Sequence, residues 1–139
     1  MRRYFIDRIE GLPPKKDGAS SMWNKGVELP RIILLRQAAH TAFGSDPPLA
    51  ENIEIVVRVH VGLVNSSDDL DNFITGICDG LQAAHPNTPL ADQWVEPDLE
   101  SVHPKNPVAI VNDVDVVSID AKKLIGDEPQ WYSLELAGD

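Results

Sequence analysis

Cysteine is nearly missing from this sequence: Cys78 stands alone among 139 residues. One thiol cannot close an intrachain disulfide, and a zinc site built from several cysteines is excluded. Long apolar runs are missing too. No stretch approaches the roughly 20 residues that span a membrane. Arg2, Arg3 and Asp7 bring charge too early for the apolar segment of a secretory signal. A cytoplasmic protein with no membrane partner is the expectation. Basic residues are also scarce, with 12 Lys and Arg against 22 Asp and Glu, a formal charge of −10. The shortage is uneven: residues 1–60 carry a net +2 and residues 61–139 a net −12. A protein that holds DNA by phosphate attraction alone should be basic. Any polyanion partner therefore needs bound cations, a local basic face, or both. An acidic surface that serves solubility alone is the commoner arrangement.

What is present suits one globular domain over 1–139. The hydrophobic fraction is 42% and the charged fraction 24%, ordinary values for a soluble fold. A chain this long buries roughly two-thirds of its unfolded surface, enough for a core without staples. Residues 3–9 read as a short strand and 11–28 as a Gly, Pro, Lys and Ser loop. A helix is expected from Pro30 to Phe43, with Ile33, Leu34, Ala38 and Ala42 inward and Gly44 just past its end. Residues 52–64 give the clearest strand: Ile53, Ile55, Val57, Val59 and Val61 share one parity. Residues 70–84 give the clearest helix, with Leu70, Phe73, Ile74, Ile77, Cys78 and Leu81 in one stripe. Five prolines in 85–107 argue against regular structure there and suggest a flap or an insertion. Strands are expected at 108–119 and 131–136. The order β-α-β-α-β-β predicts an α+β (mixed α/β) fold, a small mixed β-sheet packed against two main helices.

The residues with chemical potential are Asp68-Asp69-Leu70-Asp71-Asn72, where a strand gives way to a helix. Hard cations such as Mg²⁺ take oxygen ligands from a few carboxylates, waters and phosphates. On a regular helix Asp69 and Asp71 would diverge by about 200°, but a loop-to-helix junction can aim both at one ion. The plainer reading is a helix start, where Asp, Ser and Asn cap and negative charge is favoured. A third carboxylate from a distant segment would favour metal, and Val111-Asn112-Asp113-Val114-Asp115 offers Asp113 and Asp115.

Together these segments resemble the RusA-type Holliday junction resolvases (crossover junction endodeoxyribonucleases). Asp69-Leu70-Asp71-Asn72 followed by Asp79-Gly80-Leu81 is similar to that family's "DLDN…DAL" helix. Asn112-Asp113-Val114-Asp115-Val116 resembles its "DD-x-x-V" segment, with Lys122 or Lys123 as the lysine of the next strand. The likeness covers most of the chain outside 85–107. It implies a Mg²⁺-dependent endonuclease that works as a homodimer on four-way and other branched DNA in recombination and repair. Asp69, Asp71 and Asp113 take the place of its catalytic, metal-binding aspartates, with Asn72 supporting. The chain departs from the pattern at Thr75, where the family has a lysine, and at Asn112, where it has an acid. Those departures, with the acidic balance, frame the alternative: a RusA-like fold that binds or scaffolds with weakened catalysis.

The remaining candidates have bland uses. His40, His60, His85 and His103 are scattered singly, with no ligand spacing. Cys78 lies on the apolar stripe and reads as a small hydrophobe. Ser66 and Ser67 lack a paired base and suit a turn. Lys15, Lys16 and Lys25 share a loop with Trp23; a nuclease would use such a loop to contact phosphates and stack on a base, and a solvated surface is its commoner use. Trp94 suits a dimer anchor, a flap residue or packing on its own domain.

Overall fold

The computed structural model describes residues 1–16, 21–24, 26–126 and 129–139. Its strands are β1 (Arg2–Glu10), β2 (Ile53–Gly62), β3 (Val116–Gly126) and β4 (Trp131–Gly138). Helix α1 (Glu28–Phe43) joins β1 to β2, and α2 (Leu70–Leu81) follows β2 after a turn. The strands form one mixed sheet in the order β1-β4-β2-β3. β4 is antiparallel to both its neighbours, and β2 and β3 run parallel. This is the expected α+β arrangement, with the helices packed on one face of a small sheet. No helix among the described residues is long and apolar enough to cross a membrane.

The period-two pattern of β2 does what it predicts. Ile53, Ile55, Val57, Val59 and Val61 are all nearly inaccessible and form the floor of the core. Tyr132, Leu134 and Leu136 of β4 and Tyr4, Ile6 and Ile9 of β1 extend that floor. The α2 stripe is equally plain, with Phe73, Ile77, Cys78 and Leu81 buried. Gly44 ends α1 as expected, at φ +58° with its N–H donating to the His40 carbonyl. That backbone region favours a residue with no Cβ.

Three expectations need correction. First, α1 starts at Glu28 and turns differently: Leu34 is exposed, and the fully buried positions that follow it are Leu35 and Arg36. Second, the strand expected at 108–119 lies at Val116–Gly126. Val108, Ala109 and Ile110 are buried because they dock on α2 and Leu49, not because they belong to the sheet. Their N–H groups all approach the Leu81 carbonyl, and Ile110 bridges Leu49. Third, residues 85–107 are part of the core and not a flap. Two 3₁₀ turns, Asp92–Val95 and Pro97–Val102, bury Trp94, Leu99 and Val102. Trp94 packs on its own domain, and its indole N–H donates to the Trp23 carbonyl at 2.8 Å.

Arg36 ties that segment to both helices. Its five N–H donors reach five backbone carbonyls: Val102, Gly80, Gln82, His103 and Asn106. The guanidinium also lies 5.2 Å from the centre of the Trp23 ring. Burial pushes its pKa down to about 9, still well above neutrality. The positive charge sits where α2 ends, against carbonyls at the negative pole of the helix dipole.

Tyr132 is the opposite case. Its hydroxyl is buried in β4 with no hydrogen-bond partner among the described residues, and burial holds the phenol firmly protonated. An unsatisfied buried hydroxyl costs about 1–3 kcal/mol. Tyr132→Phe is therefore expected to raise stability by about 1 kcal/mol, read as a higher urea midpoint with an unchanged slope.

Candidate functional site

The turn that ends β2 delivers the aspartates. Residues Leu63–Asn65 form a short 3₁₀ turn, the chain bends through Ser66–Asp68, and Asp69 occupies the cap position of α2. The Asp69 carbonyl accepts from the Phe73 N–H at 3.4 Å, so the backbone starts the helix. The Asp69 side chain makes no capping hydrogen bond. The capping account of its carboxylate is thus not realised, and Asp69 and Asp71 are both exposed at the positive end of the helix.

Two lysines from remote segments meet this turn. Lys123 of β3 donates to the Ser66 carbonyl at 2.6 Å and the Asp68 carbonyl at 2.9 Å. Lys122 lies on the opposite face of the sheet, in register with Arg58, so Lys123 is the strand lysine that reaches the aspartate turn. Lys15 approaches the Asp68 carboxylate at 3.4 Å. The Lys16 N–H donates to the Asn72 carbonyl at 3.2 Å, and its ammonium pairs with Asp79 at 2.8 Å. The loop carrying both lysines lies directly on α2: a Cβ added at Gly76 would stand 2.0 Å from the Pro14 carbonyl oxygen. Lys25 lies outside the described residues.

Asp113 is placed elsewhere. It opens a 3₁₀ turn, Asp113–Asp115, that Asn112 caps by accepting from the Val114 N–H at 3.1 Å. Asn112 thus has a structural task. The Asp113 N–H donates to the Gln82 side chain at 3.3 Å, just past the end of α2. Asp113, with Asp79, also keeps the Cys78 thiol neutral, though burial does more; together they push its pKa up to about 11. A helix of this length spans about 18 Å, so Asp69 and Asp113 of one chain stand at opposite ends of α2. Among the described residues of the single chain, no three His, Cys, Asp or Glu side chains are grouped to hold a metal ion. Thr75 donates to the Asp71 carbonyl at 3.0 Å within the helix and supplies no cation.

Near the Asp113 end lies a cleft of about 650 Å³, lined by Lys16, Trp23, Asp79, Gln82 and His85 among others. No run of residues announces this cleft, because its walls come from separate segments with no common pattern. No protein-family model matches this chain, and a search of curated proteins finds no match either.

Proposed function

We propose that this chain is a RusA-like, Mg²⁺-dependent endonuclease that cuts branched DNA, four-way junctions above all. The observation that carries the reading is the turn into α2. It gathers Asp69 and Asp71, neither committed to an ion pair among the described residues, next to Lys15 and Lys123 from distant parts of the chain. Oxygen donors of this kind fit Mg²⁺, which needs only one or two carboxylates beside waters and substrate phosphates. When bound, the ion would activate water and stabilise charge on the scissile phosphate. The chain's own residues supply the frame. Lys123 fixes the turn through two carbonyls, so the aspartates are aimed by backbone and not by their own capping. Lys15 offsets Asp68 and lowers the repulsion among neighbouring carboxylates. Asp113 supports the reading only through an assembly that brings it to this turn.

The test is cleavage of a synthetic four-way junction by the purified protein across a range of Mg²⁺ concentrations. Wild type should cut, and Asp71→Asn should cut at least about a hundredfold more slowly at unchanged fold. An intact junction at every concentration, with folded protein, overturns the reading. Thr75 and the acidic balance of residues 61–139 favour the alternative, a fold that binds or scaffolds without cutting. That alternative predicts no nicking by wild type, with either a partner other than DNA or junction binding retained.

A further inference from the structure

The cleft at the far end of α2 from the aspartate turn has the size of a small-molecule site, about 650 Å³. Such sites combine an apolar base with a few placed polar groups. Met22 and Trp23, 3% and 7% exposed, give this one its apolar base, with Ala83, Ala84 and Pro89 beside them. The base is held in place by its neighbours: the Trp23 carbonyl accepts from the Ala91 N–H and from the Trp94 indole N–H.

The polar lining shares one property. In three side chains the acceptor atom is already taken by a backbone N–H of the protein itself. Ser21 Oγ accepts from Trp23 at 3.2 Å, Gln82 Oε1 from Asp113 at 3.3 Å, and His85 Nδ1 from Asn87 at 3.2 Å. What each has left to offer is a donor: the Ser21 hydroxyl, the Gln82 amide and the His85 Nε2–H. None of these donors has a partner among the described residues. Lys16 adds a cation, its ammonium 2.8 Å from Asp79. A lining of donors around an apolar base selects a ligand that is rich in acceptors and also carries an apolar ring. The C-terminal end of a helix ordinarily repels an anion. Here Arg36 takes the carbonyls of Gly80 and Gln82 and sets its charge 5.2 Å from the centre of the Trp23 ring. Lys16 and Arg36 offset Asp79 and Asp113, and the donors decide what binds.

We propose that this cleft binds a mononucleotide, with its phosphate oxygens on Lys16, Gln82 and His85 and its base against Met22 and Trp23. Phosphate oxygens are strong acceptors and match donors that the protein leaves unmade. Phosphate alone would leave the apolar base uncovered; a nucleotide covers both. The same chemistry comes from a free nucleotide or from the terminal phosphate of a DNA strand. Nothing in it rests on the nuclease reading, which concerns the other end of α2.

Proton–nitrogen NMR of the whole protein tests this through its three tryptophans. Trp131 stacks on His60, on the sheet face away from the helices. Deoxyadenosine monophosphate should shift the Trp23 indole signal saturably and leave that of Trp131 in place. In Gln82→Glu the carboxylate still accepts from the Asp113 N–H, while a donor to the ligand becomes a negative charge. Binding should weaken about tenfold or more in that variant, and by a similar factor in Lys16→Ala. Asp79→Asn, which releases Lys16 from its partner, should tighten it. Deoxyadenosine and phenyl phosphate, each lacking one half of the ligand, should both bind about tenfold or more weakly. Folded wild type with no saturable shift from deoxyadenosine or thymidine monophosphate below about 5 mM overturns the proposal. Equal binding of deoxyadenosine overturns the phosphate contact, and equal binding of phenyl phosphate overturns the choice of a nucleotide. Full affinity in folded Gln82→Glu and Lys16→Ala overturns the placement in this cleft. A single strand with a terminal phosphate separates the two sources. Tighter binding than the free nucleotide, lost when that phosphate is removed, assigns the cleft to strand ends; weaker binding assigns it to free nucleotides. No arm depends on junction cutting, so a protein that cuts nothing can still bear the proposal out.

Discussion

Arg36→Ala is expected to remove about 3–5 kcal/mol of stability, a large share of the 5–15 kcal/mol that holds a domain of this kind. The reason is the number of groups left behind. Five carbonyls on α2, on the 3₁₀ segment and beyond it turn to this one side chain. Without it, the end of α2 and residues 102–106 lose their common partner and the Trp23 ring loses its cation. Arg36→Lys is expected to fare only slightly better. An ammonium has three donors and no planar fork, and it gives up more hydration when buried. The melting temperature of the alanine variant should fall by about 10 °C or more, at about 2–4 °C per kcal/mol for a chain near this size. Thermal and urea denaturation of both variants check this; Arg36→Lys within about 1 kcal/mol of wild type would contradict the role assigned here.

Gly76→Ala is the second large effect. The added Cβ would meet backbone, with the Pro14 carbonyl oxygen at 2.0 Å and its carbon at 2.6 Å. Backbone cannot rotate away as a side-chain tip can, so the loop must lift off α2. An overpacked site of this kind costs about 3 kcal/mol. Because the lifted segment carries Lys15 and Lys16, the Lys15–Asp68 and Lys16–Asn72 contacts should loosen together. On the nuclease reading proposed above, junction cleavage should therefore fall along with stability. Gly80→Ala is the natural control. Its Cβ would meet Leu35 Cδ2 at 2.8 Å and Ile32 Cγ1 at 3.2 Å, both side-chain atoms, and the helix gains about 1 kcal/mol from alanine. Parallel urea titrations should rank Gly76→Ala well below Gly80→Ala, and the reverse order would refute the backbone clash.

The elements that could be read from the sequence were those with one buried face and one period. β2 alternates strictly and α2 carries an unbroken stripe, so both appear nearly where expected. α1 was harder because its inward face includes Arg36, which a hydrophobic pattern counts as outward. Nothing local in the sequence shows that five carbonyls from residues 80–106 await it. The proline-rich 85–107 segment hides its burial for a related reason: short 3₁₀ turns have no period long enough to see, so Trp94, Leu99 and Val102 look isolated. β3 was displaced because edge strands need not alternate, while the buried 108–110 stretch does look like a strand. At the site, adjacency made Asp69, Asp71 and Asn72 legible, and Lys123 fell within the pair of lysines expected on the next strand. The position of Asp113 was not legible. Its distance from Asp69 is set by the direction of β3 against β2, which no run of residues encodes.

The sheet order has a consequence for how the chain reaches this structure. β4, last along the sequence, fills the gap between β1 and β2, so the first strand has no neighbour until the last one arrives. A growing chain therefore carries β1 unpaired until β4 has been made, and the central ladder closes only across wide separations in sequence. Such long-range closure is slow, and open strands in the interval are prone to aggregate. No half of this sheet is a folding unit, and assembly is expected to be all or none at the final strand.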